Sequence, residues 1–521
     1  MRKAIYIPFA QAVPNVVTID KENCLYFRTG KCKICQKLCQ ADAIDFDDTP
    51  RQRKIEIGGV IVAGGHEMFD ARRRGEFGYG RYPNVVTALE FERLLSASGP
   101  TAGRLLRPGD GKEAKRIAFI QCVGSRDTSD RGNEYCSGVC CMYATKAALI
   151  ATEHTEGLAA AIFMIDMRAH GKGYEAYYRR GQEKGVRYVR SMVSAVRQDF
   201  TTGDLRLEYA KENGQNRIET FDMVVLSVGL ECGRNIADLA GVLGVELDEY
   251  GFVRGCPTDP VVSSRSGVMV CGTTAGPRDI PDSVTDASAA AARLSQSLSE
   301  ARFTCISEPE YPPEKDVSSE PARVGVFVCH CGNNIASVVD VENLVEFAGR
   351  LPGVAYTERN LYTCSPDGLA AIREAISREK LNRLVVASCT HRTHAAVFQQ
   401  AMRMTGLNKY LFEMANIRDQ CTWVHSTQPV EALCKAKDLI ASAVAKAQML
   451  CPLREHTQPV EQTALIVGGG LAGMVAAENL ASQGFAVHLV ERFGELGGQL
   501  REIRGTLDGL DVQVLMNDLI K

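Results

Sequence analysis

Membrane-spanning runs, excess positive charge and tryptophan are all scarce in this 521-residue chain. No apolar run approaches the ~20 residues of a membrane-spanning helix, so no membrane span is expected. Lysine and arginine (60) do not outnumber aspartate and glutamate (63), and the net charge of −3 offers no basic field for nucleic acid. The start, MRKAIYIPFAQAVP, is basic but has no long apolar core and no small-residue cleavage site, which argues against a signal peptide. Tryptophan occurs once, at Trp423, where a core or interface anchor is a simpler role than a stacking platform.

Cysteine, by contrast, is abundant: there are nineteen, too many for core packing alone. Without an export signal they point to a reducing compartment, the cytoplasm by default. There, clustered cysteines bind metal or do redox chemistry more often than they form disulfides. Eight fall in the first 141 residues as two groups of four, the ligand count of a cubane iron–sulfur cluster.

The first group reads Cys24-x7-Cys32-x2-Cys35-x3-Cys39, with Ala-Asp-Ala-Ile-Asp after Gln40. A Cys-x2-Cys pair places two thiolates on one cluster. In two-cluster ferredoxins the last cysteine of a run ligates the other cluster, which makes Cys39 the least secure ligand. A structural zinc site is the alternative. The second group is Cys122, Cys136, Cys140 and Cys141. Cys122 ends the expected strand RIAFIQC, and the other three surround the start of the following helix. In a dinucleotide-binding βαβ unit this turn would carry glycines that cradle a pyrophosphate; here it carries thiols. Cluster ligands and buried packing cysteines both fit this spacing.

Near the other end, Gly468, Gly470 and Gly473 follow the strand TALIV and open a helix, and Glu491 ends the next strand. Strand, glycine turn, helix and distant acid together form a dinucleotide fingerprint, the acid being placed for an adenosine ribose. Gly497 and Gly498 let the backbone approach the cofactor. FAD is expected, with NAD as the alternative. Residues 267–283, GVMVCGTTAGPRDIPDS, look like a flavin-contacting strand–helix turn, with Gly272 and Thr273 presenting backbone amides; an ordinary turn is the other possibility. Cys329, Cys331, Cys364, Cys389 and Cys421, with His330, His391, His394 and His425, suit either a metal site or simple packing. Arg168 and Lys172 suit either an anionic partner or a solvated strand end. Cys232, Cys256, Cys271, Cys305, Cys434 and Cys451 are isolated and structural.

Several stretches carry a family resemblance. RKAIYIPFAQAVP, QCVGSRD…YCSGVCCMYATKAAL, DMRAHGKGYE and AGPRDIPDSV resemble the heterodisulfide reductase family, in its A-type component that carries flavin and iron–sulfur clusters. CHCGNNIASVVDVENLVEFAG, LYTCSPDGLAAI, SCTHRTHAAVF, LFEMANIRDQCTWVH and KAKDLI resemble the same family's N-terminal domain. The order differs from the family's. Residues 1–303 resemble the back part of one module and 322–521 the front part of a second, with CISEPEYPPEKDVSSEPA as the joint. A fragment of a tandem protein is the simplest explanation; a permuted flavin domain is the alternative.

The resemblance implies an α/β fold of thioredoxin-reductase-like dinucleotide-binding flavoprotein domains with a ferredoxin-like insert, split over two incomplete modules. The expected organisation is a partial ferredoxin-like insert (1–50), the C-terminal part of an FAD domain with an embedded [4Fe-4S]-binding βαβ unit (51–303), a linker (304–321), a second module's N-terminal domain (322–455) and a truncated Rossmann FAD-binding unit (456–521). It also implies that Cys122, Cys136, Cys140 and Cys141 hold a non-standard [4Fe-4S] cluster. The implied role is a cytoplasmic oxidoreductase subunit in which FAD splits electron pairs and [4Fe-4S] clusters pass electrons to partners. Those partners are the B-type and C-type subunits, linked to hydrogenase or formate dehydrogenase. The alternative is a non-catalytic scaffold without a complete flavin site.

Overall fold

The computed structural model describes residues 3–7, 16–39, 44–49, 52–96, 99–211, 213–307, 309–507 and 509–521. Most of RKAIYIPFAQAVP, and residues 40–43 after Cys39, lie outside them. The chain divides into two units. The larger comprises 54–96, 103–306 and 459–521; the smaller comprises 1–53, 97–102 and 307–458.

In the larger unit the chain enters at β1 (Val60–Val62). It then forms β2 (Val85–Thr87), α1 (Ala88–Leu95), β3 (Arg116–Val123), α2 (Cys140–His154), β4 (Ala159–Met164), α3 (Tyr174–Glu183) and β5 (Arg187–Arg190). A three-stranded antiparallel sheet follows: β6 (Val193–Gln198), β7 (Leu205–Ala210) and β8 (Asn216–Phe221). β9 (Met223–Val228) then returns to the main sheet, whose five strands are all parallel in the order β2-β9-β3-β4-β5. Its sequences are near-continuous apolar runs because both of its faces are covered: every residue of β9 is buried. Ile117, Phe119, Ile162 and Val225 form one core with Ala144 and Ala148 of α2. Ala118, Phe163 and Val224 form another against the antiparallel strands.

A second, mixed sheet joins β10 (Asp259–Ser263), β11 (Val268–Val270) and β1, with β11 and β1 parallel. The run 55–65 reads in sequence as one buried strand. Only 60–62 is strand, and Ile55 and Ile57 are exposed, because the pairing with β11 spans just three residues. The Ala-rich segment forms α4 (Ile280–Ser297), with Asp279 as its N-cap.

The smaller unit holds a four-stranded parallel sheet of β12 (Val324–Cys329), β13 (Val354–Asn360), β14 (Arg383–Ser388) and β15 (Phe412–Asn416), in the order β13-β12-β14-β15. Between and after these strands lie α5 (Val341–Gly349), α6 (Pro366–Arg378), α7 (His391–Arg403) and α8 (Pro429–Met449). The stretch that reads as a linker is anchored here. Val317 is buried, Lys315 donates its backbone N–H to Gly406 at 2.8 Å, and Arg403 stacks on Tyr311.

The last segment belongs to the larger unit. It contains β16 (Thr463–Val467), α9 (Leu471–Ser482), β17 (Ala486–Val490) and α10 (Val512–Ile520). β16 and β17 pair in parallel with each other and, among the described residues, with no further strand. α9 is tied to α4: Gln296 Nε2 donates to Asn479 at 2.9 Å, and Arg293 reaches Glu478 at 3.4 Å.

Candidate cofactor sites

In an open parallel sheet, ligands bind beyond the carboxyl ends of the strands, where the strand order reverses. In the larger unit that point lies between β3 and β9. Cys122 sits at the end of β3 with φ of 58°, a left-handed conformation that is rare for a residue with a side chain. The turn after it is pinned by Ser125 and Ser137, whose hydroxyls lie 2.7 Å apart, and Ser137 Oγ accepts the Leu230 N–H at 2.9 Å. Gly229 leaves room for this arrangement, since a Cβ there would lie 2.2 Å from Ser125 Oγ.

Cys140 and Cys141 open α2 and are buried. The Cys140 thiol points to the Val228 carbonyl at 3.8 Å, and Cys141 Sγ accepts the Arg168 N–H at 3.5 Å. Cys136 accepts the Gly138 N–H at 3.4 Å. Burial pushes Cys122 up to about 11 and Cys140 up to about 12, and the neighbouring thiols push in the same direction. Burial also raises Cys141, which feels Cys136. Each of the four thus lies within electrostatic reach of others of the set. Arg168, at the same turn, faces Asp166.

The smaller unit repeats this placement. Cys329 ends β12, Cys331 follows it in the left-handed region (φ 45°), Cys364 follows β13, and Cys389 follows β14. A hydrogen bond from Cys331 pulls the Cys329 thiol down and correspondingly pushes Cys331 up. Burial raises Cys364 and Cys389, each of which feels the other thiols and Arg418. Cys421 is separate: its thiol donates to the Ala432 carbonyl at 3.0 Å within the core. The spacing of the cysteines gives no sign of Arg418, whose positive charge is felt by Cys331, Cys364 and Cys389.

Both sets fit an iron–sulfur cluster by donor chemistry, four soft thiols on ordered turns. A second observation points to the same places. Buried polar side-chain atoms are nearly always hydrogen-bonded. Nine such atoms lack a partner among the described residues, and seven lie beside the two sets: both amide atoms of Gln121 and Ser227 Oγ near the first, and His330 Nδ1, Asn360 Oδ1, Thr363 Oγ1 and Ser388 Oγ near the second. As placed, no three Cys, His, Asp or Glu side chains among the described residues converge on a single ion position.

The first cysteine group sits on two short helices, Leu25–Thr29 and Ile34–Leu38, with Cys24 buried, Cys32 exposed, and Cys35 and Cys39 between. Tyr26, Phe27 and Phe46 pack beside it, with ring centroids 4.3–5.7 Å apart.

At the glycine turn, the Gly468 N–H donates to Val490 at 2.8 Å. A Cβ on Gly473 would lie 1.8 Å from the Gly468 carbonyl oxygen, so only glycine lets helix and strand approach this closely. Glu491 accepts the N–H groups of Gly469 (2.7 Å) and Phe493 (3.1 Å), which hold its carboxyl below the ordinary range. Gly497 donates to the Gly469 carbonyl at 2.8 Å, and Gly498 lies against Gly470. The cradle fits a dinucleotide: the amides at the start of α9 are free of side-chain cover, and a carboxylate with about four acceptor positions has used two. Gly272 and Thr273 form the turn after β11, where Thr273 Oγ1 lies 3.1 Å from His66 Nδ1. They follow a strand of the mixed sheet, whereas the glycine turn joins β16 to α9 within the separate β16–β17 pair.

A family model described as an NAD(P)-binding Rossmann-like domain matches residues 466–517. The chain is similar to the A-type iron-sulfur subunit of the CoB--CoM heterodisulfide reductase of Methanocaldococcus jannaschii, at 42% identity over 307 residues covering 58% of this chain and 46% of that protein. It is 45% identical to the second A-type iron-sulfur subunit of the same reductase from Methanopyrus kandleri over 303 residues, covering 57% of this chain and 45% of that one. The chain thus spans less than half the length of these curated relatives. Lactococcus lactis thioredoxin reductase aligns with 46% of this chain and 66% of its own at 18% identity, with a TM-score of 0.30, too low to define a common fold.

Proposed function

We propose, from the premise that over the aligned stretch this chain is a member of the A-type heterodisulfide reductase family, that it is an iron–sulfur flavoprotein electron-transfer subunit of an oxidoreductase complex. Bound FAD would exchange an electron pair, and [4Fe-4S] clusters would pass single electrons onward, a division of labour suited to electron bifurcation or confurcation. The observation that carries the proposal is the Cys122, Cys136, Cys140 and Cys141 set, standing where a nucleotide-binding βαβ turn would hold phosphate. These four residues would supply thiolates to a cluster, and α2 directs its N-terminal dipole at them, favouring negative charge. The apolar strands β3 and β9 keep water from the buried pair Cys140 and Cys141.

Gly468, Gly470 and Gly473 would present backbone N–H groups to the pyrophosphate of FAD. Glu491 would accept from the ribose hydroxyls with its unused acceptor positions. Gly497, Gly498, Gly272 and Thr273 would line the rest of the cofactor with backbone. Cys24, Cys32, Cys35 and Cys39 would ligate a ferredoxin-type cluster, and Cys329, Cys331, Cys364 and Cys389 a further one in the smaller unit. Disulfide chemistry would fall to partner subunits of B and C type, with hydrogenase or formate dehydrogenase as the source of electrons, in the cytoplasm.

One observation favours the scaffold alternative. β16 and β17 pair with no other strand among the described residues, and Leu465, Val467 and Val490 are exposed, although parallel strands are normally covered on both faces. Iron, acid-labile sulfide and released FAD, assayed on anaerobically purified protein, separate the two. About four irons per thiol set with one FAD supports the electron-transfer role. Iron without FAD supports the scaffold, and protein without iron sinks both.

A further inference from the structure

We infer that Arg418 is the electrostatic regulator of the smaller unit's thiol set: its guanidinium raises the reduction potential of a cluster held by Cys329, Cys331, Cys364 and Cys389. The inference rests on the proposal that this set binds a cluster.

Arg418 follows β15 and opens a short π-helical turn, Arg418–Thr422, at the carboxyl end of the sheet where the four cysteines gather. Single π-helical turns are frequently found at functional sites. The side chain is held from two sides. Its Nε lies 3.3 Å from Asp419 Oδ2, and that oxygen also accepts the Thr390 N–H at 3.1 Å. The guanidinium stacks on the Trp423 ring at 4.6 Å, and the indole Nε1 in turn donates to Asn334, three residues after Cys331. Only 19% of the side chain is exposed, so solvent screens its charge little. Its anchor Asp419 also binds the backbone of Thr390, the residue after Cys389, which fixes the guanidinium at that strand end, and its charge is felt at Cys389, Cys331 and Cys364. Asp419 anchors one edge of the planar guanidinium and leaves other N–H groups for sulfur.

A four-thiolate cubane cluster is anionic, and one-electron reduction adds a further negative charge without breaking a bond or requiring a proton. A fixed cation beside it stabilises the reduced form more than the oxidised form, so its removal lowers the potential. The charge rather than the shape of Arg418 should matter.

The test uses the full-length protein, reconstituted with iron and sulfide and titrated with dithionite and mediators under EPR. The signal lost in Cys389→Ser, together with about four irons, identifies this cluster. Arg418→Gln is expected to keep its iron and disfavour reduction at least tenfold, about 59 mV for a one-electron couple. Arg418→Lys, which keeps the charge, is expected to stay near the wild-type midpoint. An unchanged midpoint in iron-replete Arg418→Gln overturns the inference, as does a shift in Arg418→Lys as large as in Arg418→Gln. Should Arg418→Gln not assemble the cluster, the Arg418→Lys midpoint decides: a wild-type value upholds the role and a tenfold loss overturns it. If neither Cys329→Ser nor Cys389→Ser removes iron, the underlying cluster assignment fails instead.

Discussion

At the residue scale, what surrounds a single atom decides what can stand there. Gly473 faces the Gly468 carbonyl so closely that a methyl group would lie 1.8 Å from the oxygen. Gly473→Ala is therefore expected to push α9 off β16, cost about 1–3 kcal/mol and reduce bound FAD, read by thermal unfolding and by flavin released per chain. An intact flavin content would argue that the cofactor does not use this turn. Thiol reactivity is also set locally. The exposed Cys256 lies 3.3 Å from Thr258 Oγ1, and that hydrogen bond lowers its pKa, whereas burial raises that of Cys271. The thiolate is the nucleophile, so at pH 8 iodoacetamide should alkylate Cys256 at least tenfold faster than Cys271. Raising the pH to 9.5 ionises more of both thiols and should narrow the ratio, and Thr258→Val should slow Cys256. Mass spectrometry of tryptic peptides checks each outcome.

At the element scale, the cysteine turn is a joint construction of two loops. The loop after β9 must pass so close to the loop after β3 that Gly229 admits no side chain beside Ser125 and Ser137. Gly229→Ala should separate the loops, cost about 1–3 kcal/mol and lower the iron content by the complement of one set. Iron analysis alongside circular dichroism distinguishes this from general unfolding. Much of this was legible in sequence. The runs RIAFIQC, AAAIFM and MVVLSV are apolar almost throughout, as strands of a doubly covered parallel sheet must be, and they form β3, β4 and β9. The glycine fingerprint likewise foretold β16, α9 and the acid at Glu491. Other features were not legible because they arise from tertiary placement. Nothing in the spacing of Cys329, Cys331, Cys364 and Cys389 reveals that the ends of three different strands bring them together, or that Cys421 stays in the core. The π-helical turn that carries Arg418 has no periodicity to read. Ile55 and Ile57 look like buried strand residues until the pairing partner proves to be three residues long.

At the scale of the whole molecule, the two units each place a thiol set at the carboxyl end of a parallel sheet, and each has its own core. Among the described residues no helix is long and apolar enough to cross a membrane. Chains of more than one domain commonly depart from a single two-state transition. The chain carries its own reporter for this. Trp423, the only tryptophan, lies in the smaller unit against Arg418, so intrinsic tryptophan emission follows that unit alone. Any bound flavin would report the larger unit, where the glycine turn lies. Urea unfolding of the iron-free protein should therefore give a single transition by tryptophan emission and a broader or biphasic one by far-ultraviolet circular dichroism. Coincident curves by both probes would show instead that the two units unfold as one cooperative body. In that case Arg418→Gln should move the circular dichroism midpoint as well as the tryptophan midpoint, whereas independent units confine its effect to the tryptophan-reported transition.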